Sequence, residues 1–238
     1  MVLPNRNSPP LSRTSGKPVP GLEGPGGHGQ EPLSRGADAE GRVISRRLAP
    51  LFFVSGMAAL IYQVCWQRLL FSTFGVDLDS ITIIVSVFML GLGLGALLGG
   101  QLADWRPQLA LPLFALAEFG IGLFGWFSPD LIRTTGDLFV GASQWGIGLI
   151  NFLLLLIPTS LMGATLPILV AHATRIWGNV GRSIGILYQV NTFGAAFGVL
   201  IIGFLWFLLF EIDTAIRLAA VLNLLVSLLT FLWVQRHG

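Results

Sequence analysis

From Leu48 onward the chain is a succession of apolar runs, each about as long as a bilayer is thick, and this constrains the fold more than any other feature. An α-helix rises about 1.5 Å per residue, so roughly 20 residues cross a hydrocarbon layer about 30 Å thick. Backbone polar groups that face lipid must be satisfied within their own segment, so each run is predicted to be helical. The runs fall at about 48–71, 80–103, 109–128, 145–173, 182–209 and 213–235. The predicted fold is an all-α membrane protein with six transmembrane helices. Charged residues make up 11% of the chain, against about 25% in soluble domains. In water such a chain would expose large apolar patches, so the lipid bilayer is its expected partner. A net charge of +2, with no basic stripe interleaved with aromatics, argues against nucleic acid.

Residues 1–47 have different physics. They are rich in Pro, Gly, Ser and charge, as in Asn7-Ser8-Pro9-Pro10 and Gly24-Pro25-Gly26-Gly27. They lack an apolar period and the apolar area needed to offset the entropy of ordering, so they are expected to form a disordered tail. The six-helix domain is then 48–238. A secretory signal places its apolar core near the N-terminus, and here that stretch is polar. The single cysteine, Cys65, excludes an intrachain disulfide and any Cys-based metal set. No metal or cofactor motif is read.

Arginine placement predicts orientation. Arg42, Arg46 and Arg47 precede the first run, Arg106 follows the second, Arg175 and Arg182 flank the turn between the fourth and fifth, and Arg236 follows the sixth. Arg68, Arg133 and Arg217 lie toward the other side. The positive-inside rule puts both termini in the cytoplasm, in the inner (plasma) membrane. The connection 129–143 would lie outside. Ser128-Pro129 is a suitable helix start, so a short surface helix and an irregular loop both remain open for it.

Several features lie within the runs. Gly91, Gly95 and Gly99 are four apart and share one helix face, and Gly194 and Gly198 repeat the device. Small residues there let a second backbone approach closely. The fourth run contains Pro158 and Pro167 around Gly163, so either a kinked structural helix or a helix break that marks a substrate site is expected, with Thr159 or Ser160 available to satisfy the freed carbonyl. Glu118 is the leading candidate for an intramembrane polar site, because a lone carboxyl in a span demands a partner or a role. Tyr188, Asn191 and Gln63 are further candidates, while Asn151 and Asn223 read as ties between helices. Trp66 and Arg68 read as interface anchors. Asp213 and Arg217, one turn apart, read as an ion pair, and His172 as a locally satisfied side chain.

Four stretches carry a family resemblance. They are Phe52-Phe53-Val54-Ser55-Gly56 through Tyr62, Trp66 and Arg68; Phe88-Met89-Leu90-Gly91 through Asp104; Pro158 through Met162-Gly163, Thr165 and Pro167; and Tyr188-Gln189-Val190-Asn191-Thr192 through Gly194 and Gly198. Together they resemble the membrane part of bacterial spermidine-synthase-like proteins, a polyamine aminopropyltransferase family with a fused major-facilitator-like region. The resemblance implies a half-major-facilitator-like bundle. In that family a soluble aminopropyltransferase-like domain follows the six helices. Its Gly-rich loop binds the decarboxylated adenosylmethionine donor and its acidic residues hold the polyamine. The 238 residues here contain none of those motifs, so no catalytic residue carries over. The family pattern has Glu where Gln63 stands here, which weakens the case for a cation site there. Gly99-Gly100-Gln101-Leu102-Ala103-Asp104-Trp105-Arg106 is similar to a degenerate major-facilitator loop motif. The resemblance implies that Asp104 latches onto Arg175 or Arg182 on the cytoplasmic side.

The leading expectation is a non-catalytic membrane module that anchors or serves aminopropyl transfer, an activity either supplied by a separate soluble spermidine-synthase-like subunit or lost here. Two alternatives remain. One is a half-size transporter for a small solute, a cation among the candidates, acting as a homodimer through its Gly-lined faces. The other is a membrane scaffold or assembly factor. No Ser-His-Asp, HExxH, P-loop or Rossmann signature is present, so an independent enzyme is the weakest reading.

Overall fold

The computed structural model describes residues 31–74, 77–138, 144–206 and 210–237. Six helices account for nearly all of them: α1 (Glu31–Phe74), α2 (Asp77–Trp105), α3 (Ala110–Leu138), α4 (Gln144–Trp177), α5 (Val180–Ile201) and α6 (Ile212–His237). A 3₁₀ turn over Pro107–Leu109 leads into α3, and a π turn over Ile202–Trp206 closes α5. Each helix is long and apolar enough to cross a bilayer, and the chain is a multi-pass membrane protein. The helical backbone of α1 starts at Glu31, so the boundary read near residue 47 marks where apolar surface begins. The rest of the predicted tail, residues 1–30, lies outside the described residues, as do 139–143 of the predicted outer loop.

One expectation is corrected at the end of the third span. The stretch 129–138 forms neither a separate surface helix nor an irregular loop, because α3 runs on through Pro129 to Leu138. Proline removes the N–H that would have bonded the Gly125 carbonyl. The Ser128 hydroxyl donates to that carbonyl at 2.9 Å instead. Thr134 and Thr135 donate to the carbonyls of Asp130 and Ile132, each at 2.7 Å. Ile132 is buried, so packing also holds the extension in place.

α4 is likewise one continuous helix, with Pro158 and Pro167 inside it. Of the two readings, the helix break is absent. Nor do the neighbouring hydroxyls reach the Leu154 carbonyl that Pro158 frees: Thr159 donates to Leu155 and Ser160 to Leu156, at 2.8 and 2.7 Å. At the tight turn after α4, Gly178 adopts φ 63° and donates to the Thr174 carbonyl at 2.8 Å, an end that favours glycine. Asn179 then caps α5 by accepting from the Arg182 amide at 2.9 Å.

The closest helix pairs are α2 with α4, α3 with α6, and α1 with α5. The glycine rows make two of them. A Cβ at Gly91, Gly95 or Gly99 would collide with Thr159, Ser160 or Ala164 of α4, and one at Gly163 would collide with the Leu92 backbone. Gly194 and Gly198 press on the backbone of Phe53 and Met57, and Gly56 in turn presses on Asn191. The faces that a homodimer was expected to use are therefore occupied within one chain. The four stretches that carry the family resemblance meet as two pairs, α1 with α5 and α2 with α4.

Candidate functional site

At the centre of the bundle, α1, α3 and α6 converge on one carboxyl group. Glu118 of α3 is fully buried. Its Oε1 accepts from the Ser55 hydroxyl of α1 at 2.5 Å, and its Oε2 accepts from the Asn223 amide of α6 at 2.6 Å. Both donors are neutral. A hydrogen bond in a low-dielectric interior is electrostatically stronger than the same bond in water. One turn away, Ser227 of α6 donates to the Ala115 carbonyl of α3 at 2.7 Å. These contacts fix the axial register of α6 on α3.

Further along the same interface, Trp66 donates through Nε1 to Ser128 at 2.8 Å. Its ring stacks on Tyr62 at 4.8 Å and meets Phe124 edge-on at 6.0 Å. Trp66 is fully buried, which corrects its reading as an interface anchor: its indole N–H finds a partner inside the bundle. The Tyr62 hydroxyl lies against Gly125 with no hydrogen-bond partner, and Asn223 Oδ1 is also buried and unpaired.

The other candidates do not join this group. Tyr188 is 59% exposed on the outer face of α5. Asn191 is half-buried at the α1–α5 crossing beside Gly56, and half-buried Gln63 lies on α1 with no bond to Glu118. Asn151 accepts from Thr135 at 3.3 Å and so links α4 to α3, as Asn223 links α6 to α3. His172 meets Trp233 edge-on at 6.2 Å, but its Nε2 is buried without a partner, so it is not satisfied locally.

Charges gather at the two ends of the bundle. Asp213 does not pair with Arg217. It takes both guanidinium nitrogens of Arg133, at 2.6 and 2.7 Å, while Arg217 reaches Asp130 at 3.7 Å and lies over the Trp126 ring. Across-helix geometry prevails here because α3 extends far enough to bring Asp130 and Arg133 alongside α6. At the opposite end, Asp104 is exposed, and no ion pair joins it to Arg175 or Arg182 among the described residues. Arg182 instead lies over the Trp177 ring, 5.9 Å from its centroid.

Sequence reasoning singled out Glu118 but not Ser55, whose only signal is a hydroxyl one step from the Gly56 crossing. Among the described residues no cluster of three His, Cys, Asp or Glu side chains is placed to hold a metal. The arrangement can tie three helices and hold one buried carboxyl between neutral donors. No family model, curated protein or solved structure matches the chain.

Proposed function

We propose that this chain is a non-catalytic membrane module that anchors aminopropyl transfer at the inner membrane, with the transferase on a separate soluble subunit. The observation that carries the reading is how the interior polar groups are used. Glu118, Ser55, Asn223, Trp66, Ser128 and Ser227 all bind one helix to another. A bundle tied in this way suits a rigid anchor. The polyamine assignment rests on the family resemblance alone. Both termini are assigned to the cytoplasm. In support, Arg47, Arg106, Arg175, Arg182 and Arg236 sit at one end, against Arg68, Arg133 and Arg217 at the other.

The test is aminopropyl transfer to putrescine, measured in sedimented membranes from cells with and without the chain. Activity that pellets only when the chain is present supports the anchor. Equal activity in both pellets overturns it.

A half-size carrier is a second reading, favoured by the unpaired Asn223 Oδ1 beside Glu118 and the unpaired Tyr62 hydroxyl two turns along α1 from Ser55. Buried polar atoms without partners call for an explanation, and a bound solute is one. Putrescine uptake into proteoliposomes that is lost in Glu118→Gln would establish this reading. No uptake above empty liposomes would dismiss it.

A further inference from the structure

The outward face of α5 differs from that of its neighbours. Of the most apolar stretch of α5, 17% is buried, against 28% for α2 and 44% for α1, α3, α4 and α6. A helix so uncovered should present only hydrocarbon-like side chains to lipid. The central turns of α4 and α6 do so, with Leu149, Leu153 and Ile157 on one and Leu218, Val221 and Leu225 on the other. On α5, by contrast, Gly185, Gln189, Thr192, Ala196, Val199 and Gly203 are all exposed. Their spacing alternates four and three, which keeps them on one gently supercoiled seam.

Depth makes the polar members costly. The span runs from Val180 to Phe204, so Thr192 is its midpoint and Gln189 lies about 5 Å from it. The described residues offer the Gln189 amide no hydrogen-bond partner, and an amide facing acyl chains carries a large desolvation penalty. The small members leave room for a remedy. A Cβ at Gly185 or Gly203 would meet nothing within 4 Å, whereas Gly91, Gly95, Gly99, Gly194 and Gly198 are each covered by a neighbouring helix.

We infer that this seam is an interface with a second copy of the chain, α5 against α5 about a twofold axis along the membrane normal. The amide decides the occupant. It carries both donors and an acceptor, so a residue facing its own twofold mate is satisfied by an identical group. Under that symmetry Gln189 meets Gln189 and Thr192 meets Thr192, and both polar residues leave lipid at once. Gly185, Ala196 and Gly203 let the backbones close to the distance that such bonds require. The interface is distinct from the glycine rows, which are occupied inside each copy, and it does not depend on the proposed function.

Oxidative crosslinking of the full chain in native membranes tests the arrangement, with buried Cys65 leaving the unmodified chain as background. Gln189→Cys and Ala196→Cys are expected to give a band at twice the monomer mass. Ile157→Cys, on the exposed face of α4, is expected to give none. Absence of the band at both α5 positions, or an equal band at Ile157→Cys, overturns the proposal. A product of any other mass assigns the seam to a different membrane protein and equally overturns it. As a second measurement, Gln189→Leu is expected to raise the dimer dissociation constant in detergent about tenfold. An unchanged constant shows that the amide does not pair.

Discussion

Glu118 shows how much one side chain can organise when water is excluded. Its two oxygens hold helices that begin far apart in sequence, with Ser55 at a separation of 63 residues and Asn223 at 105. Replacing it by leucine leaves a hydroxyl and an amide buried without their acceptor. Each such loss costs about 1–3 kcal/mol in water-soluble proteins, and interhelical bonds within membranes lie toward the low end. Glu118→Leu should therefore destabilise the bundle by about 2–4 kcal/mol. Glu118→Gln, which keeps one carbonyl acceptor, should cost about half as much. Thermal unfolding of the detergent-solubilised protein measures both, and an unchanged midpoint for the leucine variant would show that the carboxyl ties nothing. The carboxyl itself was legible in the sequence because a lone Glu in a 20-residue apolar run stands out. Its partners were not, since serine and asparagine are unremarkable in helices and nothing local says which one faces residue 118.

At the scale of elements, two glycines on one helix have opposite surroundings that a substitution series separates. Gly95 sits where a Cβ would strike the Ser160 carbonyl, whereas Gly93, two residues earlier on α2, has open space around it. Gly95→Val should force α2 off α4 and cost about 1–3 kcal/mol or more, the usual range for overpacking. Gly93→Ala should be neutral or should stabilise by up to about 1 kcal/mol, the helix-propensity gain. Folded fraction after heating in detergent distinguishes the two, and equal losses would mean that Gly95 is not at a close helix crossing. The spans themselves were readable because length and apolarity are local properties. The continuation of α3 beyond Pro129 was not. Ser-Pro reads as a helix start, and only tertiary context reveals that Ser128 satisfies the carbonyl freed by the proline while accepting from Trp66 of another helix. The Arg133–Asp213 pair was hidden for the same reason, since it requires the extra turns of α3. The pair is partly exposed, at 46% and 22%, so its coupling should be about 1 kcal/mol or less. Single charge reversals at Arg133 and Asp213 should each destabilise, and the double reversal should recover most of the loss. A double-mutant cycle in low and high salt reads this directly, and a coupling of zero at low salt would reduce the contact to a passive neighbour.

For the whole molecule, orientation follows from how arginine is divided between the two ends, because no single residue determines it. One end carries Arg106, Arg175, Arg182 and Arg236 with Asp104 as its acidic counterpart. The other carries three arginines, Arg68, Arg133 and Arg217, among Asp130, Asp137, Glu211 and Asp213. A positively biased end resists translocation during insertion, so the first end should remain in the cytoplasm. Asp137 and Val180 are both exposed and lie at opposite ends of the bundle, so cysteines there report the two sides. Native Cys65 is buried and contributes little labelling. A membrane-impermeant maleimide added to intact cells should label Asp137→Cys and spare Val180→Cys until the membrane is permeabilised. The reverse pattern would invert the topology and move the bidentate Arg133–Asp213 pair to the cytoplasmic face. Equal labelling at both positions would mean that the two sites do not lie on opposite sides of one membrane, and the six-span arrangement would fail with it.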